Sequence, residues 1–194
     1  MNHYKSVGIT GGIGSGKTYV CRILETMGYP VFYSDEAAKK IIRSHPKAIK
    51  ALKALFGEQA YLKGEVNTTY LAEQIFSNPT LRKKMNAIIH PLVRGAFKDW
   101  AQKTNQPLVF NEAAILFETG AYKNFDSIIL VYADEALRIK RIMERDKVTL
   151  EQIKSRMSAQ WPDEEKEKLA DFTIKNDGET ALLPQINHIL KQLK

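Results

Sequence analysis

Eight residues, Gly11-Gly12-Ile13-Gly14-Ser15-Gly16-Lys17-Thr18, constrain this chain more than any others. They fit G-x-x-x-x-G-K-[ST], the phosphate-binding P-loop. Ahead of them, Tyr4 to Thr10 alternates with apolar Val7 and Ile9, as a short buried strand does. Behind them, Val20, Ile23, Leu24 and Met27 fall at i, i+3, i+4 and i+7, the spacing of a helix, and Gly28 supplies its stop. Strand, glycine loop and helix start occur in the order the mechanism requires. Glycines let successive N–H groups turn inward onto phosphate oxygens, and the helix N-terminus adds free donors and a positive dipole end. Lys17 is placed for the β- and γ-phosphates, and the Thr18 hydroxyl for Mg2+. Nucleoside triphosphate binding follows.

Composition narrows the setting. Apolar content of 44% and charged content of 26% over 194 residues describe a globular core of ordinary size. A single cysteine, Cys21, excludes an internal disulfide and suits a reducing cytosol. The longest clean apolar run, Ile128 to Ala133, is too short to cross a membrane. Met1 to Lys5 is polar and leads into a strand, so no signal peptide is expected. Net charge is +7, but the lysines are scattered through every helix. That distribution favours small phosphorylated ligands over nucleic acid. No feature points to an obligate protein partner.

Pro30 to Tyr33 reads as a second strand, and Glu36 to Ile42 as a helix that Ser34 or Asp35 caps. In a parallel sheet, ligands gather beyond the carboxyl ends of the strands. Asp35 closes the second strand, so a role as base for an attacking hydroxyl, or as a Mg2+ ligand, stands beside the capping role. From Ser44 to Lys103 the pattern is almost wholly helical. Helices are expected from Pro46 to Gly57, from Asn67 with Leu71, Ile75 and Phe76 apolar, and from Asn78-Pro79 through Ile89, with Gly64 in a loop. A block this long reads as an inserted lobe for a second substrate. Pro91 is expected to bend or restart the helix there. His90 and Arg94, four apart, then form a donor pair for an anionic or ribose-like group, or a cap and a solvated arginine.

Leu108 to Glu112 is a third strand and Asp126 to Tyr132 a fourth, of the continuous apolar kind. Glu112 and Glu118 are carboxylates suited to orient Mg2+, the acceptor or a basic partner. Asp134-Glu135 opens a helix on which Arg138, Arg141 and Arg145 form one stripe. The stripe either salt-bridges to Glu135, Glu144 or Asp146, or serves as an arginine lid over the phosphates. Thr149 and Gln152 make a capping box, Arg156 joins the cluster or stays solvated, and Pro162 opens another short helix. Phe172 to Lys175 is the fifth strand, Asn176-Asp177-Gly178 a turn, and Glu179 to Leu193 the last helix, packed by Leu182, Leu183, Ile186, Ile189, Leu190 and Leu193. Strands alternating with helices argue for an α/β fold with a parallel sheet.

Asp-x-x-Gly and Asn-Lys-x-Asp, the motifs of a switch GTPase, are both absent from the sequence, which discounts that class. A small P-loop kinase fits best. The alternatives are a nucleoside or nucleotide kinase, or an ATP- or nucleic-acid-binding regulator without turnover. The chain resembles the dephospho-coenzyme A kinase family along essentially its whole length. The resemblance is carried by Gly8 to Thr18, Ser34-Asp35, His90-Pro91, Leu116-Phe117-Glu118, Arg141, Arg145-Asp146 and Ile174 to Gly178.

That resemblance implies a P-loop three-layer α/β fold with a five-stranded parallel sheet. The nucleotide-binding core would comprise 1–34, 104–133 and 172–194, the acceptor lobe 35–103 and the lid 134–171. It implies transfer of the ATP γ-phosphate to the ribose 3′-hydroxyl of dephospho-CoA, with Mg2+. By position, Asp35 would be the base and Arg141 and Arg145 the lid arginines, with Lys17 completing the catalytic set. His90, Arg94 and Glu118 would lie on the acceptor side. Gly12, Gly14, Ser15, Gly16, Lys17, Thr18, Tyr19 and Asn176 would hold the nucleotide, Thr18 taking the metal and Asn176 lying near the adenine. Three departures from the family pattern stand out. Tyr33-Ser34 replaces the first Asp and the Ala of its Asp-Ala-Asp segment, Ala114 replaces a proline, and Thr18-Tyr19 replaces Ser-Thr.

Overall fold

The computed structural model describes residues 4–193. Met1 to His3, most of the polar stretch read as lacking a signal peptide, lie outside the described residues. Strand β1 (Lys5–Thr10) is buried from Ser6 onward. Helix α1 (Lys17–Thr26) follows the glycine loop and buries Val20, Cys21 and Leu24. Strand β2 (Val31–Tyr33) leads without a loop into α2 (Ser34–Ser44), and α3 (Pro46–Phe56) begins on Pro46. Two-residue strands β3 (Tyr61–Leu62) and β4 (Glu65–Val66) precede α4 (Thr68–Ser77) and α5 (Pro79–Thr104). The chain then makes β5 (Leu108–Glu112), β6 (Ser127–Tyr132), α6 (Glu135–Asp146), α7 (Leu150–Ser158), α8 (Asp163–Glu167), β7 (Phe172–Lys175) and α9 (Leu182–Leu193).

Five of the strands form one sheet in the order β2-β5-β1-β6-β7, with every pairing parallel. The central strands are apolar on both faces because both are covered, as parallel sheets require. On one face Val7, Ile9, Ile129, Val131 and Ile174 pack with Val20 and Leu24 of α1 and Ile186 and Leu190 of α9. On the other, Ile128 packs with Ala113, Leu116 and Phe117. Alternation along β6 thus sends Ile129 and Val131 one way and Ile128 the other.

The chain folds into two units, 1–33 with 104–194, and 34–103. Residues 134–171 belong to the first. In the second unit Leu52, Phe56, Tyr61, Leu71, Met85 and Ile89 form a core of their own. The Tyr70 hydroxyl donates to the Phe56 carbonyl (2.9 Å), and the Tyr61 hydroxyl to that of Ile42. Asn67 caps α4, accepting from the Tyr70 amide.

Four expectations from the sequence need correction. The stretch from Ser44 to Lys103 is not wholly helical: β3 and β4 form a small antiparallel hairpin. Its two-residue turn, Lys63-Gly64, has positive φ at both positions (52° and 86°), the geometry that matches strand twist, but the strands are too short to show a period in the sequence. Second, α5 does not restart at Pro91 but runs through it. Pro91 and Ala87, the residue whose carbonyl loses its partner, are both exposed, so that carbonyl is not buried unsatisfied. Met85 and Ile89 before the proline and Phe97 and Ala101 after it are buried, so packing on both sides carries the helix past the missing bond. Third, apolar spacing misplaced two side chains: Phe76 is 87% exposed and Leu183 51%. The last helix also starts three residues late, at Leu182, because the Asp177 carboxylate accepts from the Glu179 and Thr180 amides and holds a turn.

Candidate active site

The glycine loop lies between the carboxyl end of β1 and the first turn of α1. Gly16 is the N-cap of α1 with φ 92° and ψ 25°, left-handed geometry that a side chain disfavours. Space forbids one as well: a Cβ there would lie 2.1 Å from Asn176 Nδ2. Asn176 is buried and braces the loop. Its Nδ2 donates to the Ser15 carbonyl (2.8 Å) and its amide to the Tyr132 carbonyl (2.8 Å). The residue expected near the adenine is thus seen here bracing the phosphate loop. Lys17 folds back over the loop, donating from Nζ to the Gly11 (3.0 Å) and Gly12 (3.5 Å) carbonyls. Thr18 and Tyr19 are exposed on the first turn of α1.

Two hydroxyls at this loop, Thr10 Oγ1 and Ser15 Oγ, are buried with no hydrogen-bond partner among the described residues. Buried polar groups are nearly always satisfied, so orphans in a glycine cradle fit a site built for phosphate oxygens. No cluster of three or more His, Cys, Asp or Glu able to hold a metal occurs among the described residues. Glu112, buried at the end of β5, lies within electrostatic reach of Cys21. Burial first, then the Glu112 and Glu25 charges, push the Cys21 thiol far up, so it stays protonated and inert.

The arginine stripe of α6 divides three ways. Arg141 Nη1 donates to the Asn176 carbonyl (3.0 Å) and stands 4.0 Å from the place of a Gly16 Cβ. Arg138 is buried and lies against Gly12, where a Cβ would sit 1.8 Å from its Nη1. Its Nη2 pairs with Asp163 Oδ2 at 3.0 Å. Arg145 instead lays one edge of its guanidinium, Nε and Nη2, on Asp146 (2.7 and 3.1 Å), with 64% of its side chain exposed, and Arg156 shares the same carboxylate (3.2 Å). The seven-residue separation from Arg138 carries it about two turns along α6, into solvent.

Glu118, assigned to the acceptor by resemblance, has one of its two carboxylate oxygens engaged inside the first unit. Oε1 accepts the Trp161 amide (2.9 Å) and stands 3.4 Å from Lys166 Nζ, which is fully buried. Gln160 completes this fastening: its Oε1 accepts the Ile13 amide of the loop (2.8 Å) and its Nε2 donates to the Ala114 carbonyl (3.1 Å). Gln160, Asp163 and Lys166 went unnoticed in the sequence. Their signals were a polar residue before Trp161-Pro162 and an i, i+3 acid–base pair, which read as the ordinary opening of an exposed helix.

In the second unit His90 and Arg94 share one side of α5. Burial first, then the Arg94 charge, hold the His90 imidazole below its ordinary value of 6.5. At neutral pH it is therefore an uncharged donor–acceptor. Asp35 is exposed in the first turn of α2, directly after β2.

A parallel sheet whose central strand opens into a glycine loop, with arginines of a nearby helix laid across that loop, defines a kinase of the P-loop class. Comparison narrows the class. A family model described as dephospho-CoA kinase matches residues 5–181. A dephospho-CoA kinase of Bacteroides fragilis is 43% identical over 185 residues, 95% of this chain and 90% of that one. Among solved structures, a Thermus thermophilus protein aligns over 100% of both chains at 34% identity and a TM-score of 0.89. A dephospho-CoA kinase from Campylobacter jejuni aligns over 97% of this chain and 94% of its own, at 29% identity and a TM-score of 0.67. The chain belongs to the dephospho-CoA kinase family, whose reaction is the final step of coenzyme A synthesis.

Proposed function

We propose that this chain transfers the γ-phosphoryl group of ATP to the ribose 3′-hydroxyl of dephospho-CoA. The observation that carries the phosphate half is Lys17, drawn back over Gly11 and Gly12 in a loop braced by Asn176. The loop amides from Gly12 to Lys17 hold the β- and γ-phosphates. Arg141 steadies the nucleotide at the Gly16 end of the loop, and Tyr19 borders it. The Thr18 hydroxyl and the Glu112 carboxylate would hold a Mg2+ ion, which would supply neutralising charge to the phosphates. Asp35, the second residue after β2, takes the proton of the 3′-hydroxyl as its oxygen bonds to phosphorus and ADP leaves. His90 and Arg94 bind the acceptor. Glu118 and Arg145, held by Lys166 and Asp146, are left with positioning roles.

The free, buried Cys21 suits a reducing compartment, and we assign the enzyme to the cytoplasm. No helix among the described residues is long and apolar enough to cross a membrane. The test offers purified protein ATP and Mg2+ with dephospho-CoA, nucleoside monophosphates or shikimate, and follows ADP and the mass of the acceptor. Phosphorylation of dephospho-CoA alone supports the reading. ADP formation driven by another acceptor, or an Asp35→Asn enzyme working at full speed, overturns it.

A further inference from the structure

Four charged side chains of the first unit meet beside the phosphate loop, and resemblance assigned only Glu118 among them. Arg138 and Lys166 are the cations, Asp163 and Glu118 the anions, so the group is balanced without a ligand. It is nevertheless incompletely satisfied. Lys166 Nζ has no hydrogen-bond partner among the described residues, standing 3.4 Å from Glu118 and 3.8 Å from Asp163 Oδ1. Arg138 Nε and Glu118 Oε2 are unpartnered as well. A buried ammonium with unused donors is costly. Its persistence implies a second arrangement in which those donors are used.

The placement of Arg138 says what that arrangement is. Its Nη1 stands over Gly12, and Lys17 Nζ reaches back to the carbonyls of Gly11 and Gly12. The P-loop lysine serves the β- and γ-phosphates, so Gly12 marks the terminal-phosphate end of the loop. The Arg138 backbone is pinned there too: its carbonyl lies 2.8 Å from the place of a Gly14 Cβ. Only the guanidinium is free to change partners.

We propose that Arg138 is a further catalytic residue, contacting the terminal phosphoryl group of the bound triphosphate after exchanging Asp163 for it. Lys166 then takes up the released Asp163 carboxylate, which uses its idle donors. The exchange makes the loop sensitive to the third phosphate, because a diphosphate offers nothing at the Gly12 end to draw Arg138 from Asp163. The inference rests on ATP being the donor, and needs no particular acceptor.

The experiment is calorimetric titration of the full chain with Mg-ADP and with the Mg complex of β,γ-imido-ATP. In Arg138→Gln the triphosphate analogue should bind on the order of tenfold to a hundredfold more weakly, as loss of a charge-assisted contact implies. ADP affinity should stay within about twofold. Asp163→Asn should move the other way, favouring the analogue over ADP because Arg138 is released. Equal losses for both nucleotides in Arg138→Gln, or a weakened analogue in Asp163→Asn, overturn the exchange. Should Arg138→Gln fail to fold, Asp163→Asn decides alone. Wild-type protein that binds neither nucleotide removes the donor reading and this one together. Wild-type protein that binds both but ignores dephospho-CoA removes only the acceptor.

Discussion

Gly16 and Asn176 are 160 positions apart, yet the structure makes them one unit, and a double-mutant cycle measures that directly. Gly16→Ala forces an L-residue into φ 92°, which costs about 1–2 kcal/mol. Its methyl would also stand 2.1 Å from Asn176 Nδ2 and displace it from the Ser15 carbonyl. Leaving that buried carbonyl unmatched costs about 1–3 kcal/mol. The single substitution therefore destabilises by roughly 2–5 kcal/mol, the sum of these two costs. At about 2–4 °C per kcal/mol for a chain of this size, Tm falls by roughly 4–20 °C. Asn176→Ala loses only the hydrogen bond, about 1–3 kcal/mol. In the double variant that bond has already gone, so Asn176→Ala should cost almost nothing on the Gly16→Ala background. Thermal unfolding of the four proteins reads the coupling. Losses that add within about 0.5 kcal/mol, the behaviour of independent sites, would refute the bracing role.

Lys166→Met leaves Glu118 buried without its cation and should destabilise by about 3–5 kcal/mol, with part regained in the Glu118→Gln double variant; unchanged denaturant midpoints would contradict the burial. For His90, proton NMR should give a midpoint below 6.5, shifting up yet remaining below 6.5 in Arg94→Ala because burial is the larger cause. The folded state then binds fewer protons than the unfolded, so stability is full above pH 6.5 and declines as pH falls from 6.5 through the folded midpoint. A midpoint at or above 6.5 would contradict this. Steady-state kinetics should rank the lid arginines: Arg141→Ala lowers kcat/KM for ATP by on the order of 10²-fold or more, Arg145→Ala by less than about tenfold. The reverse order would show Arg145 leaving Asp146 to reach the phosphates.

The sequence by itself determined the donor half of this protein. A P-loop is a local device: its function needs a strand, glycines, Lys17 and Thr18 in series, all within one stretch of chain. The buried strands and most helix limits, including Gly28, Pro46, Asn67 and the Thr149–Gln152 box, are likewise set by near neighbours. The hairpin at Lys63-Gly64 escaped because four strand residues cannot carry a period, and the helix did not restart at Pro91 because burial along α5 outweighed one missing bond. Arg138, Arg141 and Arg145 are chemically equal in the sequence. Only the tertiary structure decided that one lies on Gly12, one holds the Asn176 carbonyl and one stays with Asp146 in solvent. It likewise decided that Gln160, Asp163 and Lys166 belong to the loop. A charged side chain's partner is chosen by distance in space, and residues about 150 positions apart meet only after the sheet has ordered its strands.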